Sequence, residues 1–373
     1  MKMTPAQVLE RLLQCRALSL DESKDLMNSI MSGDLLDTQI AGILTALRMK
    51  GETIGEIAGF ARAMRENSVR ISPGRAGLID TCGTGGDARG TFNISTAAAL
   101  VAASMGIPVA KHGNRAVSSK CGSADVLEAL GVNITLPPEA VSQLIDDVGI
   151  GFLFAPTHHP AMKHAASARK ALGVRTVFNL LGPLTNPAGV ERQIVGVFSE
   201  KLTELVCNVL KELGTKKAFV VHGLDGTDEV SIAGGTIVSS LEDGKVTTFE
   251  FAPEEAGLER ADISSISGGP AEENAEHIRN VLRGQNGARS DAVMLNAGFA
   301  ALLADRASNV ADGVSMAREA VQSGKAEELL RELSVASKAL EGQTGGLGAA
   351  GRAADGQVEG HNAAGDAGEG RSG

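Results

Sequence analysis

Residues 80–125, DTCGTGGDARGTFNISTAAALVAASMGIPVAKHGNRAVSSKCGSAD, set two polar, glycine-bearing loops between strand and helix signals. The first loop, Gly83 to Asp87 (GTGGD), follows the short apolar run Leu78-Ile79, and Asn93-Ile94-Ser95-Thr96 opens a helix predicted over 96–105. Pro108-Val109-Ala110 reads as the next strand and ends in Lys111-His112-Gly113-Asn114-Arg115. Ser118, Ser119 and Ser123 follow, and Ser123 is read as the N-cap of a helix beginning at Ala124-Asp125. Glycines let backbone N–H groups approach a phosphate, and hydroxyls at a helix start add donors where the helix dipole already favours negative charge. Lys111 and Arg115 supply full positive charge beside those neutral donors. Two such loops at the carboxyl ends of neighbouring strands suit a ligand with two separate phosphate groups; the alternative is a pair of tight turns with solvated polar residues. No lysine follows Gly86, as a Walker loop requires, and Ala88 stands where the dinucleotide fingerprint has its third glycine.

Outward from this stretch the chain falls into three parts. Residues 1–72 read as helices: Thr4-Pro5-Ala6-Gln7, Ser19 to Glu22 and Thr53 to Glu56 are capping boxes, and Gly33 and Gly51 are stops. Residues 70–77 (RISPGRAG) mark a boundary. Beyond it, strands are predicted at 78–80, 108–111, 132–136, 151–155, 193–198 and 218–222, with helices between them that include 139–148, 160–172 and 201–213. Residues 229–251 alternate around Gly234-Gly235 and Asp243-Gly244 as antiparallel hairpins, and 270–340 are helical again. The fold class is therefore α/β: a small N-terminal α-helical domain, then a large α/β domain (73–340) whose mostly parallel central sheet is covered by helices. Part of 165–190 is expected to join the helical domain. From 341 to 373 the chain turns Gly/Ala-rich, and disorder is the expectation there.

Composition narrows the function. The chain has 373 residues, no Trp, no Tyr and a formal net charge of −10, which argues against nonspecific binding to nucleic acid or anionic membranes. The four cysteines are scattered, so neither a disulfide framework nor a zinc knuckle follows, and packing is the reading of Cys82 and Cys121. The N-terminal segment carries Glu10 and Arg11 where a signal peptide needs an unbroken apolar run, and no run approaches a membrane span, so a cytoplasmic location is expected.

Three further groups carry chemistry. The adjacent acids Asp228-Glu229, after the strand 218–222, suit Mg²⁺ held by carboxylates together with substrate phosphates; a solvated acidic turn is the alternative. Asp225 is read as a turn former. His158-His159 and His164 lack the helical spacing of a zinc pair. Arg169 lies on the predicted helix 160–172, where a surface cation competes with a site role, and residues 179–187 form a Pro/Gly-marked loop read as a hinge or a structural turn.

GTGGD, TFNIST and KHGNRxxSSxxGSAD, in this order and spacing, resemble the anthranilate phosphoribosyltransferase family over about residues 4–340. The related pyrimidine-nucleoside phosphorylases carry a different loop after Lys-His. The resemblance implies transfer of the 5-phosphoribosyl group of phosphoribosyl diphosphate (PRPP) to the amino group of anthranilate in L-tryptophan biosynthesis, with Mg²⁺ as cofactor. It implies no protein nucleophile or base; Lys111 and Ser95 act electrostatically. PRPP is expected at Gly83, Gly86, Asp87, Thr91, Asn93, Ile94, Ser95, Thr96, Lys111, His112, Gly113, Asn114, Arg115, Ser118, Ser119 and Ser123. Anthranilate is expected at Gly83, Asn114, His159, Arg169 and Gly182, and Mg²⁺ at Ser95, Asp228 and Glu229. A homodimer is implied, and an anthranilate synthase component is a further partner to consider. A nucleoside phosphorylase of the same fold and a non-catalytic or nucleic-acid-binding relative remain the alternative readings.

Overall fold

A computed structural model describes residues 3–87, 89–116 and 120–354, with 342–354 described as backbone only; Ser118, Ser119 and residues 355–373 lie outside it. Four helices open the chain: α1 (Pro5–Leu13), α2 (Leu20–Met31), α3 (Asp37–Lys50) and α4 (Ile54–Glu66). Thr4, Ser19 and Thr53 each cap a helix start, and the residue three positions on returns a side-chain bond to the cap amide. Strands and helices then alternate: β1 (Ile79–Gly83), α5 (Ile94–Ser104), β2 (Val109–Gly113), α6 (Ser123–Ala129), α7 (Pro138–Val148) and β3 (Ile150–Phe154). After α8 (Ala155–His158), α9 (Lys163–Leu172) and α10 (Phe178–Leu181) come β4 (Arg192–Gly196), α11 (Leu202–Glu212), β5 (Lys217–Gly223), β6 (Thr236–Glu242) and β7 (Lys245–Phe251). Four helices close the chain: α12 (Ala271–Leu282), α13 (Ala288–Leu303), α14 (Val310–Gln322) and α15 (Lys325–Ala354).

The seven strands form one sheet in the order β3-β2-β1-β4-β5-β6-β7. β1 to β5 are parallel, and β6 and β7 add antiparallel. This is the mostly parallel α/β sheet that the alternation predicts. Period-two burial serves both faces. Along β5, Phe219 and Val221 enter the core beneath α5 and α13, while Ala218 and Val220 enter a second core shared with α11 and the N-terminal helices. Helix α9 packs on α2 and α3, and α10 on α4, so residues from the middle of the chain complete the helical bundle.

One expectation fails. Residues 132–136 form no strand: Val132, Ile134 and Leu136 are buried as the alternation suggests, but they run between α6 and α7 away from any sheet edge. The Asn133 amide donates instead to Ser337 Oγ at 3.0 Å. Helix α15 is described to Ala354, and most of the stretch expected to be disordered, residues 355–373, lies outside the described residues.

Within the helical bundle, Glu56 is fully buried and ties three segments together. It accepts from the Leu18 amide at 3.0 Å, from Lys50 Nζ at 2.8 Å, and from the Thr53 amide and hydroxyl at 2.9 Å each. Removing one partner of a buried ion pair leaves the other charge uncompensated. Glu56→Ala is therefore expected to lower the unfolding free energy by about 3 kcal/mol, read as a lower urea midpoint by far-UV circular dichroism.

Candidate active site

Strand order decides where a ligand can sit. From β1 the chain crosses outward to β2 and β3, whereas β4 and β5 lie on the other side of β1. The crevice outside the carboxyl ends of these strands is the open position in such a sheet. Four loops meet there: GTGGD after β1, KHGNR at the end of β2, residues 197–201 after β4, and 224–235 after β5.

The first loop is shaped by its glycines. Gly85 and Gly86 have φ of +64° and +77°, a left-handed run that frees backbone donors. The Gly85 amide donates to Asp228 Oδ2 at 2.9 Å, and the Thr84 amide to the Gly196 carbonyl at 2.8 Å. Gly196 is also a point of close approach: a Cβ there would stand 1.7 Å from the Asp228 carbonyl oxygen. Beyond β5, Asp225 accepts from the Thr227 amide (3.0 Å) and hydroxyl (2.7 Å) and from the Ser231 hydroxyl (2.5 Å), which folds the 224–235 loop around its acids.

The acids Asp228 and Glu229 are half-buried side by side. Burial, then the neighbouring Asp87, raises the Asp228 carboxyl to about 6; burial, then Asp228, raises Glu229 to about 8. Glu229 Oε1 accepts the Ser95 amide at 3.1 Å, in the first turn of α5, where the helix dipole favours an anion. Asp87 Oδ2 is a buried oxygen without a hydrogen-bond partner. This set of hard oxygen donors with excess negative charge fits a small divalent cation. Beside it, a cavity of about 480 Å³ is lined by Asp87, Arg89, Phe198, Ser199, Lys201 and His222.

The other predicted residues separate by depth. Ile94 and Thr96 are buried, with 1% of each exposed. Thr91 forms an isolated bridge with Ser267. Asn93 donates to the Cys121 carbonyl at 3.2 Å and accepts from Asn274 at 2.9 Å, which pins the α5 start to the KHGNR loop and α12. Lys111 is 3% exposed and donates to the Thr81 carbonyl; burial lowers its ammonium below the usual range, while Asp80 and Glu229 pull it back up. Arg115 pairs with Asp125 at 3.0 Å and with Glu128. Asn114 accepts the Arg115 amide on Oδ1 at 2.8 Å, and its carbonyl accepts the Ser123 hydroxyl at 3.3 Å. Ser123 is not the N-cap: Gly122 is, because Asp125 takes the Gly122 and Ala116 amides at 2.8 and 2.9 Å and leaves Ser123 in the first turn.

His112 joins the second loop to the segment 159–186. Its Nδ1 lies 3.1 Å from the Gly182 carbonyl, and its ring centroid 5.3 Å from that of His159, whose Nε2 lies 3.1 Å from the Thr185 carbonyl. Burial first pushes both imidazoles down, to about 3 and about 4, so both are neutral at physiological pH. His112 Nε2 and His159 Nδ1 are buried without partners. Gly113 follows His112 at the end of β2, where a Cβ would stand 2.2 Å from Ser123 Oγ. Arg169 stands on α9 with its guanidinium 4.9 Å from the Phe178 ring centroid and forms no ion pair among the described residues. His158 turns away and bonds the Val69 carbonyl at 2.7 Å.

Several residues escape sequence reading. Asp80 accepts Asn186 Nδ2 at 2.8 Å and the His112 amide at 3.2 Å, a buried knot whose one sequence trace is an acid inside a short apolar strand. Arg175, from the loop after α9, donates to the Gly86 carbonyl and lies 4.1 Å from the Phe198 ring centroid. No spacing in the sequence singles it out.

Two family models match the chain: the helical bundle domain of a glycosyl transferase family over residues 6–68, and its a/b domain over 75–327. The anthranilate phosphoribosyltransferase of Methanocorpusculum labreanum is 52% identical over 333 residues, covering 89% of this chain and 98% of that protein. Among solved structures, the anthranilate phosphoribosyltransferase of Thermus thermophilus aligns with a TM-score of 0.84 at 43% identity, over 89% of this chain and 99% of that one. The Saccharomyces cerevisiae enzyme in complex with PRPP and Mg aligns at 0.83 and 30% identity, over 90% and 98%.

Gly196→Ala has no room for its methyl group without moving the acidic loop. Overpacking of this kind costs about 1–3 kcal/mol. The variant is expected to keep its far-UV spectrum while its affinity for Mg²⁺ with inorganic diphosphate falls about tenfold or more, read by isothermal titration calorimetry.

Proposed function

The chain belongs to the anthranilate phosphoribosyltransferase family, and from that premise we propose how its residues divide the work. The enzyme transfers the 5-phosphoribosyl group of PRPP to the amino group of anthranilate, giving N-(5-phosphoribosyl)anthranilate and diphosphate, in L-tryptophan biosynthesis with Mg²⁺. The observation that carries the residue assignment is the meeting of GTGGD, the α5 start and the half-buried Asp228-Glu229 pair at one end of the sheet. A phosphorylase reading gains no support from this arrangement.

The reaction breaks the anomeric C–O bond and forms a C–N bond to the amine. Positive charge builds on the ribose and negative charge on the departing diphosphate, so positioning and electrostatics dominate. Gly83, Gly86, Asp87, Thr91 and residues 93–96 offer backbone and side-chain donors to diphosphate and ribose. Ser118, Ser119, Ser123, Gly113 and Asn114 take the remaining phosphate, and Arg115 ties the end of KHGNR to Asp125 and Glu128. Buried Lys111 acts as fixed charge beneath both loops. Ser95, Asp228 and Glu229 would hold Mg²⁺, which when bound supplies compensating charge for the diphosphate.

On the acceptor side, Arg169 suits the anthranilate carboxylate, because its half-buried charge lacks a counter-ion among the described residues. His159, Gly83, Gly182 and Asn114 line the approach, and the neutral His112 ring stands 5.3 Å from that of His159. The aromatic amine is a neutral nucleophile, and no side chain is assigned as base. Burial holds the Cys82 thiol well above its usual range and Cys121 at about 11, so neither serves as a thiolate.

We divide the chain into a helical domain, 1–72 with part of 165–190, and a catalytic domain, 73–340; the packing of α9 and α10 on α2–α4 supports this division. A cytoplasmic homodimer is our reading of the assembly, supported by exposed Leu13, Leu36 and Met49 on the helical bundle. No helix of the described residues is long and apolar enough to cross a membrane. An anthranilate synthase component is the partner to test by co-elution.

Loss of anthranilate fluorescence is expected only with PRPP and Mg²⁺ both present and should stop on chelation with EDTA. Arg169→Ala is expected to raise KM for anthranilate about tenfold or more, the scale of a lost charge-assisted bond, with KM for PRPP little changed. Phosphorolysis of thymidine in place of this decay would overturn the reading.

A further inference from the structure

Helix α13 carries one amide in an otherwise apolar interior. Asn296 is 4% exposed, and its neighbours Val293, Leu295, Ala297 and Phe299 are all buried in the main core. An amide placed there costs free energy unless its donors and acceptor are used. They are used on one residue: Asn296 Oδ1 accepts the Val230 amide at 3.1 Å, and Nδ2 donates to the Val230 carbonyl at 3.0 Å. Nδ2 also donates to the Ala292 carbonyl at 2.9 Å, one turn back. The side chain thus pairs with Val230 as a neighbouring strand would, at the residue that follows Glu229.

The base from which it reaches is rigid. A Cβ on Gly298 would lie 2.9 Å from Val314 Cγ2, and one on Gly313 2.5 Å from the Gly298 carbonyl oxygen, so α13 and α14 are in backbone contact. Helix α13 also packs on α5, whose first turn holds Ser95. One helix therefore underlies both Ser95 and the acidic pair. We propose that Asn296 is a positioning residue: its paired bonds to Val230 hold Asp228 and Glu229 at the spacing from Ser95 that the divalent cation requires. This rests on the assignment of those three residues to Mg²⁺. Partners behind a ligand shell commonly change metal affinity 10- to 100-fold, because they fix the ligands' orientation before the ion arrives.

The test uses the full-length chain with Mn²⁺ as the probe. Free Mn²⁺ is measured by electron paramagnetic resonance in the presence of inorganic diphosphate, for the native protein, Asp228→Asn, Asn296→Ala and Asn296→Asp. KM for Mg²⁺ and for anthranilate is measured on each. Asn296→Ala is expected to weaken Mn²⁺ binding about tenfold and to raise KM for Mg²⁺ in step, with KM for anthranilate unchanged within about twofold. Should the alanine variant lose its cooperative thermal transition, Asn296→Asp decides. It keeps the volume and the acceptor but loses both donated bonds, and the same loss of Mn²⁺ affinity is expected. Native Mn²⁺ affinity in a folded Asn296 variant overturns the proposal, whatever the change in thermal midpoint. Native affinity in Asp228→Asn overturns the metal assignment beneath it, and the two failures are thereby distinguished.

Discussion

Moving a carboxylate out of water costs several kcal/mol unless charge or hydrogen bonds replace the lost hydration. This chain half-buries two of them next to each other, with a third acid, Asp87, close enough to raise the first. Much of the surrounding architecture answers that constraint. The Gly85 amide turns to Asp228, the start of α5 turns its Ser95 amide to Glu229, and Lys111 places a buried ammonium where it draws on Glu229 and Asp80. These partners moderate the excess of negative charge without cancelling it, so the crevice is built to receive a cation together with its anionic companion.

The same logic separates the two halves of the site. Around GTGGD and the acidic pair the groups are charged and the loops rich in backbone donors. Toward residues 159–186 the imidazoles of His112 and His159 are neutral, and Arg169 lies over the Phe178 ring without an ion pair among the described residues. An aromatic amine needs no deprotonation before attack, and neutral polar walls suit it better than a charged one would. Asp80 and Asn186 link the halves, because their bonds reach the backbone of β2 at His112 and at Ala110.

Much of this was legible in the sequence where function depends on local backbone chemistry. Gly83 to Asp87 and Asn93 to Thr96 announce donors at a strand end and a helix start, and the capping boxes at Thr4, Ser19 and Thr53 are local by nature. What the sequence hides is arranged by contacts across long stretches of chain. Asn296 meets Val230 across 66 positions and Asn186 meets Asp80 across 106, and nothing at either address advertises the other. Alternation at 132–136 reports burial faithfully but cannot say whether a strand edge lies alongside. Ser123 has the right chemistry for a cap, yet Asp125, two residues on, reaches further and takes the amides first.

The second apolar core runs without a break from α2, α3 and α4 through α9 and α10, past α11, to the inner positions of β4 and β5. Its residues come from both sides of residue 70, where the chain changes from helical to alternating sequence. That seam therefore lies in the chain and not in the packing. A recombination event that exchanged only the first seventy residues between relatives would bring a bundle shaped for one partner surface against Val206, Leu210 and Phe178 of another. The inherited unit is the bundle together with its distant facing residues, and drift in one is constrained by the other.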